Sequence, residues 1–297
     1  MAVPRRAARP AHPARERPGR RLSQRQHPAG HRHGDRYVLR RYLQRNTCAV
    51  ETALAGRLAG LVPVAEVVAA DPDGSAAGEP VMLSRFVPGD LVSTVLGSPG
   101  ADGLGRATGA VLAAIGTITF PRAGFFSGPD LIPRSAEGPS DLMSFVDRCL
   151  RTGNADRVFT PAEQEALRQH ASQAGALLGA VDGSRQLVHS DFNPKNLLAT
   201  SQHGTWSITA VLDWEFAFSG SPLCDIGNML RFRGELPEAF ADGFITGYRD
   251  AGGVLPGNWR ELSQALDLFA LADFLTRPPS NPFFGKAVDI LRKRLSS

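Results

Sequence analysis

The sequence predicts an α+β protein, with a small strand-rich region over about residues 34–86 and a larger, mainly helical region over 87–297. Three observations carry this reading. Short alternating apolar runs flank a single helical stripe before residue 87. From Leu91 onward the apolar spacing is mostly that of helices. Between residues 186 and 227, two apolar pairs end abruptly on polar residues: Leu187 and Val188 before His189, and Val211 and Leu212 before Asp213. Each pair reads as the end of a buried strand that delivers a carboxylate to one cleft.

At 297 residues and 42% hydrophobic content, the chain is long and apolar enough for one large domain or two lobes. Cys48, Cys149 and Cys224 are odd in number and far apart, which fits a reducing compartment better than a disulfide framework or a zinc site. The most apolar stretch, Val111–Phe120, is too short and interrupted to span a membrane, so a cytoplasmic protein with no membrane partner is expected. The net charge of +4 conceals an uneven distribution. Residues 1–45 hold thirteen arginines against Glu16 and Asp35, whereas the remainder carries twenty basic and twenty-seven acidic side chains. The body is therefore acidic and fits a cationic or neutral small substrate better than a polyanion. No nucleic-acid partner is expected, because no aromatic residues interleave the basic head to stack on bases.

In chain order, residues 1–33 have five prolines and no apolar period, and disorder is the expectation. Arg36–Leu43 reads as a strand, with Tyr37 and Leu39 alternating against Val38 and Arg40. Thr47–Leu61 has a helical stripe at Val50, Leu54, Leu58 and Leu61. Val62-Pro63-Val64 starts a strand, residues 71–78 form a turn, and Pro80–Val87 is a further strand leading into Pro88-Gly89-Asp90. Leu104–Phe120 is a long helix, Pro121–Ser140 a Gly/Pro-rich loop, and Asp141–Leu150 a short helix. Thr160-Pro161-Ala162-Glu163 is a strong helix start: a threonine cap, proline at the first helical position and glutamate two positions later. Leu197–Ala199 reads as a strand, and a hairpin through Ser201–Gly204 returns Asp213 beside Asn196. The tail reads as three helices, 237–250, 258–276 and 284–295, with Pro278–Pro282 breaking the last two.

Phosphoryl transfer calls for the residue types found at the polar strand ends. A carboxylate must accept the proton of the attacking hydroxyl, while an amide oxygen and a second carboxylate hold magnesium against nucleotide phosphates. Asp191 is the candidate base, and Asn196 and Asp213 are the candidate metal ligands. His189-Ser190-Asp191 with Asn196 matches the His-x-Asp-x-x-x-x-Asn of protein-kinase catalytic loops. Two details depart from protein kinases: Ser190 stands where they have arginine, and Asp213-Trp214-Glu215 replaces Asp-Phe-Gly. With Pro222-Leu223-Cys224-Asp225-Ile226 following in order, the stretch resembles the aminoglycoside phosphotransferase family, whose relatives include choline, homoserine and fructosamine kinases.

That resemblance implies a two-lobed protein-kinase-like fold, with a small β-rich N-lobe over 34–86 and a helical catalytic and acceptor-binding lobe over 87–297. The implied co-substrates are ATP (or GTP) with Mg2+, and a small hydroxyl acceptor. Arg40 matches the position of the phosphate-binding cation, usually lysine, and Glu51 the residue that steadies it. Ser84, Arg85 and Phe86 fall where the family's lobe-connecting strand meets adenine. Asp225 matches a residue that braces the catalytic loop, and His189 reads as a structural hydrogen-bonding residue, the rival being a histidine base oriented by Asp191. Glu215 reads equally as a third metal carboxylate, a substrate contact or a solvent-facing turn residue; Lys195 reads as an exposed loop lysine, the rival being approach to the transferred phosphate, and Asn193 as a loop brace or a phosphate-side residue.

One family feature is missing. No glycine-rich strand–turn–strand precedes Tyr37. Read one nucleotide later, with a suitable choice of synonymous codons, Arg20–His27 becomes Gly-Gly-Ser-Pro-Asn-Gly-Asn-Thr, which resembles such a loop. A frame error upstream of about residue 34 would account for the incomplete lobe. The rival functions are a non-catalytic nucleotide-binding pseudokinase and a phosphotransferase inactive without that loop. The acceptor classes implied run from antibiotics to amino alcohols and sugars, and the acidic body favours a cationic one of the aminoglycoside type.

Overall fold

Tyr37–Tyr42 (β2) is the strand on which the N-terminal sheet is built. The computed structural model describes residues 24–29, 35–134 and 141–296. Gln24–Ala29 (β1) pairs antiparallel with β2, Val81–Arg85 (β4) lies on its other side, and Val67–Asp71 (β3) follows at the far edge. Cys48–Leu58 (α1) rests against β3 and β4 and buries Val50, Leu54 and Leu58 of the expected stripe, whereas Leu61 lies past the end of the helix and is exposed. Asp71 closes the turn after β3 by accepting from the backbone N–H groups of Ser75, Ala76 and Ala77.

Two expectations for this region are corrected. β1 lies inside the head expected to be disordered. An unpaired edge of β2 recruits backbone by ladder hydrogen bonds, which need no apolar pattern. Residues 1–23 and 30–34, with most of the basic head, fall outside the described residues. Val62–Val64 is not a strand. Pro63 has no N–H for a ladder, and the segment is instead tied down through its carbonyl, which accepts from Val211 N–H at 2.8 Å.

The chain then crosses to the second region through Asp90–Leu91 (β5), which pairs with Leu197–Gln202 (β9). Gly89 adopts φ +147°, and a Cβ there would meet Ala199 O at 3.0 Å and Thr209 Oγ1 at 2.8 Å, so the crossing requires glycine. Val92–Val95 (α2), Ala101–Gly116 (α3), Gly124–Phe126 (β6) and Pro133–Arg134 (β7) follow. The two short strands occupy part of the stretch expected to be loop. Leu142–Thr152 (α4) is capped by Asp141, and Pro161–Leu177 (α5) opens with the full Thr160–Glu163 capping box. Gln186–Val188 (β8), β9, Thr205–Val211 (β10) and Phe218–Gly220 (β11) carry the catalytic stretch. The β9–β10 turn places His203 and Gly204 at φ +51° and +81°, a two-residue hairpin of the primed type. Leu223–Leu230 (α6), Glu238–Asp250 (α7), Trp259–Phe274 (α8) and Pro282–Leu295 (α9) complete the chain.

Glycines set the tightest packing. α3 and α7 lie backbone to backbone: a Cβ on Gly109 would stand 2.0 Å from Phe244 O, and one on Gly247 2.2 Å from Arg106 O. Among the described residues the buried apolar side chains form two clusters. One runs from Leu54 of α1 through Leu112 of α3 to Phe192 and Trp214, beneath the catalytic stretch. The other joins α4, α5, α8 and α9. Among the described residues no helix is long and apolar enough to cross a membrane.

Candidate active site

The loop from His189 to Asn196 leaves β8 and enters β9. Its shape is fixed by backbone hydrogen bonds to three side chains. Asp225, fully buried on α6, accepts from His189 N–H at 2.8 Å and from Ser190 N–H at 2.7 Å. Asn228, one turn further along α6, donates to Ser190 O at 3.1 Å. His189 uses both ring nitrogens on backbone: Nε2 lies 2.8 Å from Leu212 O, and Nδ1 accepts from Asp191 N–H at 3.2 Å. A carbonyl can only accept, so Nε2 carries the proton and the ring is neutral. Burial pushes the His189 pKa down, in the same sense. Ser190 (φ +70°) and Asp213 (φ +66°) are held in the left-handed region, a conformation that costs energy in non-glycine residues.

Two asparagines hold the Asp191 carboxylate. Asn193 Nδ2 donates to Oδ1 at 2.9 Å and Asn196 Nδ2 to Oδ2 at 2.8 Å. The same Asn196 nitrogen also reaches Asp191 O, which leaves the amide oxygen of Asn196 as the acceptor on its other side. Leu212 N–H donates to Asn196 O at 2.8 Å, so the Asn196 and Asp213 backbones are neighbours, as the hairpin reading requires.

Arg40 joins this centre to the N-terminal sheet. Its guanidinium meets Glu51 at 3.0 Å and Asp213 at 2.6 Å. Thr47 Oγ1 donates to Glu51 Oε1 at 2.6 Å. Burial pushes the Glu51 carboxyl up to about 7, against the pull of Arg40 and Thr47. Burial likewise pushes Asp225 up to about 7, against its two backbone N–H donors. Arg40 Nε is buried without an acceptor among the described residues.

Ser84 and Phe86 stand apart from this cluster. Strand register puts Ser84 opposite Val38 and Arg40 opposite Met82, so Ser84 and Arg40 share one face of the sheet. Phe86 N–H donates to Arg36 O at 2.9 Å, and its ring lies 3.6 Å below the Arg36 guanidinium. Arg85 pairs with Glu66 and Asp35. Sequence reasoning did not single out Thr47 or Asn228. Thr47 lies one helical turn before Glu51 and Asn228 three residues after Asp225, spacings that put each on its partner's side of a helix.

The Phosphotransferase enzyme family matches residues 18–263, most of the chain and all of this centre. The chain belongs to that family. Its fold is that of solved phosphotransferases. Aminoglycoside phosphotransferase APH(4)-Ia superposes with a TM-score of 0.65 at 18% identity, over 93% of each chain. Thermostable mutants of APH(4)-Ia have been solved as ternary complexes with AMP-PNP or ADP and hygromycin B. A putative fructosamine-3-kinase from Thermobifida fusca YX-ER1 gives 0.60 at 19% identity, over 93% of this chain and 94% of that one. Macrolide 2'-phosphotransferase MphH from Brachybacterium faecium gives 0.56 at 19%, over 92% and 91%. No curated protein sequence matches significantly. At these identities the likeness to solved structures is one of fold, and the mixed α+β chain with its N-terminal sheet and helical C-terminal region is kinase-like.

Proposed function

We propose that this family member transfers the γ-phosphate of ATP (or GTP) to a hydroxyl of a small molecule, with Asp191 as the base. The observation that carries the reading is the orientation of the Asp191 carboxylate by Asn193 and Asn196, on a loop that Asp225 and Asn228 hold in shape. His189 is not the base in this reading, because both of its nitrogens are committed to backbone. Arg40, positioned by Glu51, neutralises phosphate charge through its guanidinium. Ser84 and Phe86 line the adenine side. The bond from the acceptor oxygen to the γ-phosphorus forms as the bridging bond to the β-phosphate breaks, and the hydroxyl proton passes to Asp191.

Magnesium fits the donor set. Asn196 and Asp213 would hold it through an amide oxygen and a carboxylate oxygen, hard ligands that leave room for water and phosphate. Bound there, the ion would neutralise charge developing on the phosphates. The acidic body admits a cationic acceptor of the aminoglycoside type, and hygromycin B is the first such compound to assay.

Thermal unfolding with Mg-ATP, against magnesium alone, tests the nucleotide site. Saturation at about 100 times the dissociation constant adds about 2.7 kcal/mol, and Asp213→Ala should abolish the shift. Asp191→Ala should keep the shift and lower phosphoryl transfer by about 10²- to 10⁴-fold. Unchanged transfer in Asp191→Ala would rule it out as the base. A second reading, a nucleotide-binding protein that transfers nothing, is favoured by one observation: β1, beside β2, contains no glycine. A Mg-ATP shift with neither transfer nor ATP hydrolysis would select it.

A further inference from the structure

The threonine that opens α1 departs from the rule that its counterpart on α5 obeys. Thr160 precedes α5 with an extended backbone (φ −65°, ψ 160°), and its hydroxyl accepts from Glu163 N–H at 3.2 Å. That is the usual way for a residue in this place to satisfy the free N–H groups of a helix start. Thr47 precedes α1 in the same place, yet its backbone is not extended (φ −112°, ψ 10°) and, among the described residues, its side chain makes no capping hydrogen bond. The cap comes from one residue earlier. The Asn46 side chain accepts from Cys48 N–H at 3.1 Å and is anchored by donating to Pro72 O at 2.7 Å.

The Thr47 hydroxyl is used inside the protein instead. Thr47 is 6% exposed, and its Oγ1 donates to Glu51 Oε1 at 2.6 Å. Arg40 takes the other carboxylate oxygen, Oε2, at 3.0 Å. A carboxylate held at both oxygens cannot turn about its last bond. Arg40 has a second claimant in Asp213, at 2.6 Å. A Glu51 carboxylate that turned, or took up a proton, would leave the guanidinium to Asp213 alone. Burial pushes the Glu51 carboxyl up to about 7 against the pull of Arg40 and Thr47, so the hydroxyl also favours the charged form that holds Arg40. A local rule broken at a helix start, with the freed hydroxyl aimed at the site, is the pattern expected where function sets the residue.

Resting on the nucleotide-binding part of the reading above, we propose that Thr47 is a positioning residue for phosphate binding. Its hydroxyl holds Glu51, and Glu51 keeps the Arg40 guanidinium shared and open to a nucleotide phosphate rather than given over to Asp213. Thr47 acts through these two side chains.

The test is titration calorimetry of the full chain with Mg-ATP, alongside urea unfolding. Thr47→Val keeps the shape of the side chain and removes the donor. It should raise Kd about 10-fold, the weight of one hydrogen bond to a charged group. Thr47→Ala should match it, and Thr47→Ser, which restores the hydroxyl, should restore Kd. Asn46→Ala is the control for the helix end: it removes the cap and should lower the urea midpoint with Kd unchanged. Unchanged Kd in Thr47→Val and Thr47→Ala overturns the proposal. So does a rise in Asn46→Ala equal to that in Thr47→Val, or a failure of Thr47→Ser to recover, since either would make Thr47 part of the helix end alone. Wild-type binding that Asp213→Ala abolishes reports the nucleotide site independently of Thr47. If Thr47→Val then binds as the wild type does, the reading stands and only the proposal falls. If the wild type does not bind Mg-ATP, both fall.

Discussion

Two buried charge clusters in this protein are mirror images. In one, the cation Arg40 sits between Glu51 and Asp213. In the other, the anion Asp267 sits between Arg231 and Arg294. They differ in what they join and in what can reach them. The Arg40 cluster draws one residue each from β2, α1 and the loop after β10, and the Asp213 side chain is 24% exposed. The Asp267 cluster joins α8 to the end of α6 and to α9, and its carboxylate is 1% exposed. There the α6 and α8 backbones nearly touch: a Cβ on Gly227 would stand 2.4 Å from Ser263 O. An ion pair that a ligand can enter is exchangeable, because a phosphate or a metal can replace one partner. An ion pair sealed between helices can only be kept or lost. The first arrangement suits a site and the second a lock.

Breaking the lock gives the largest effect. Asp267→Ala leaves the Arg231 and Arg294 guanidiniums without their shared carboxylate, and a buried pair broken on one side costs about 3–5 kcal/mol. Urea unfolding should show that loss, with the residual Mg-ATP affinity of the folded fraction unchanged. A loss below about 1 kcal/mol, the range of a surface pair, would mean that water reaches the cluster. Arg40→Ala should cost less stability, about 1–2 kcal/mol. The reason is local: burial already pushes Glu51 up to about 7, so it can take up a proton when its cation is removed. Nucleotide affinity should instead fall about 10- to 100-fold, the weight of one charge-assisted contact. Equal stability losses in the two variants, with titrated Mg-ATP binding intact in Arg40→Ala, would erase the distinction between site and lock.

The catalytic stretch was legible because its chemistry is local in sequence. His189, Asp191, Asn196, Asp213 and Asp225 lie on strand ends and one hairpin, and the hairpin turn at His203-Gly204 sets which of them meet. The helix starts at Asp141 and Thr160 were legible for the same reason, since a cap and its donors lie within one turn. What the sequence could not show depends on distant partners. Gly105, Gly109, Gly243 and Gly247 look like weak points in two helices and become the α3–α7 contact only when the helices meet. Asp267 and Asp273 lie six residues apart on α8, a spacing that does not share a helix face well, and their partners Arg231, Arg294 and Arg277 are set by how the helices pack. β1 was missed because an edge strand is selected by its neighbour's open backbone rather than by its own apolar pattern.

Asp225 sharpens the comparison with the smallest effect, a change of slope. Among the described residues it is a buried carboxylate with no cation paired to it, held by two backbone N–H groups. Its folded pKa of about 7 lies above the ordinary aspartate value, so its contribution to stability is full below about pH 4 and is lost as pH rises through about 7. Asp225→Asn removes this dependence. The amide offers one oxygen to two donors, so the variant should be about 1–3 kcal/mol less stable at low pH, the cost of a buried unsatisfied group. As pH rises from about 5 to 7, the wild type weakens through Asp225 and the variant does not, and the gap should narrow by up to about 1.4 kcal/mol per pH unit. Urea unfolding of both proteins across that range measures the gap directly. A gap that stays constant or widens would mean that Asp225 is ionised throughout. The two backbone N–H groups would then outweigh burial, and the catalytic loop would be held by a charge with no counter-ion, a third kind of anchor beside the exchangeable pair and the sealed one.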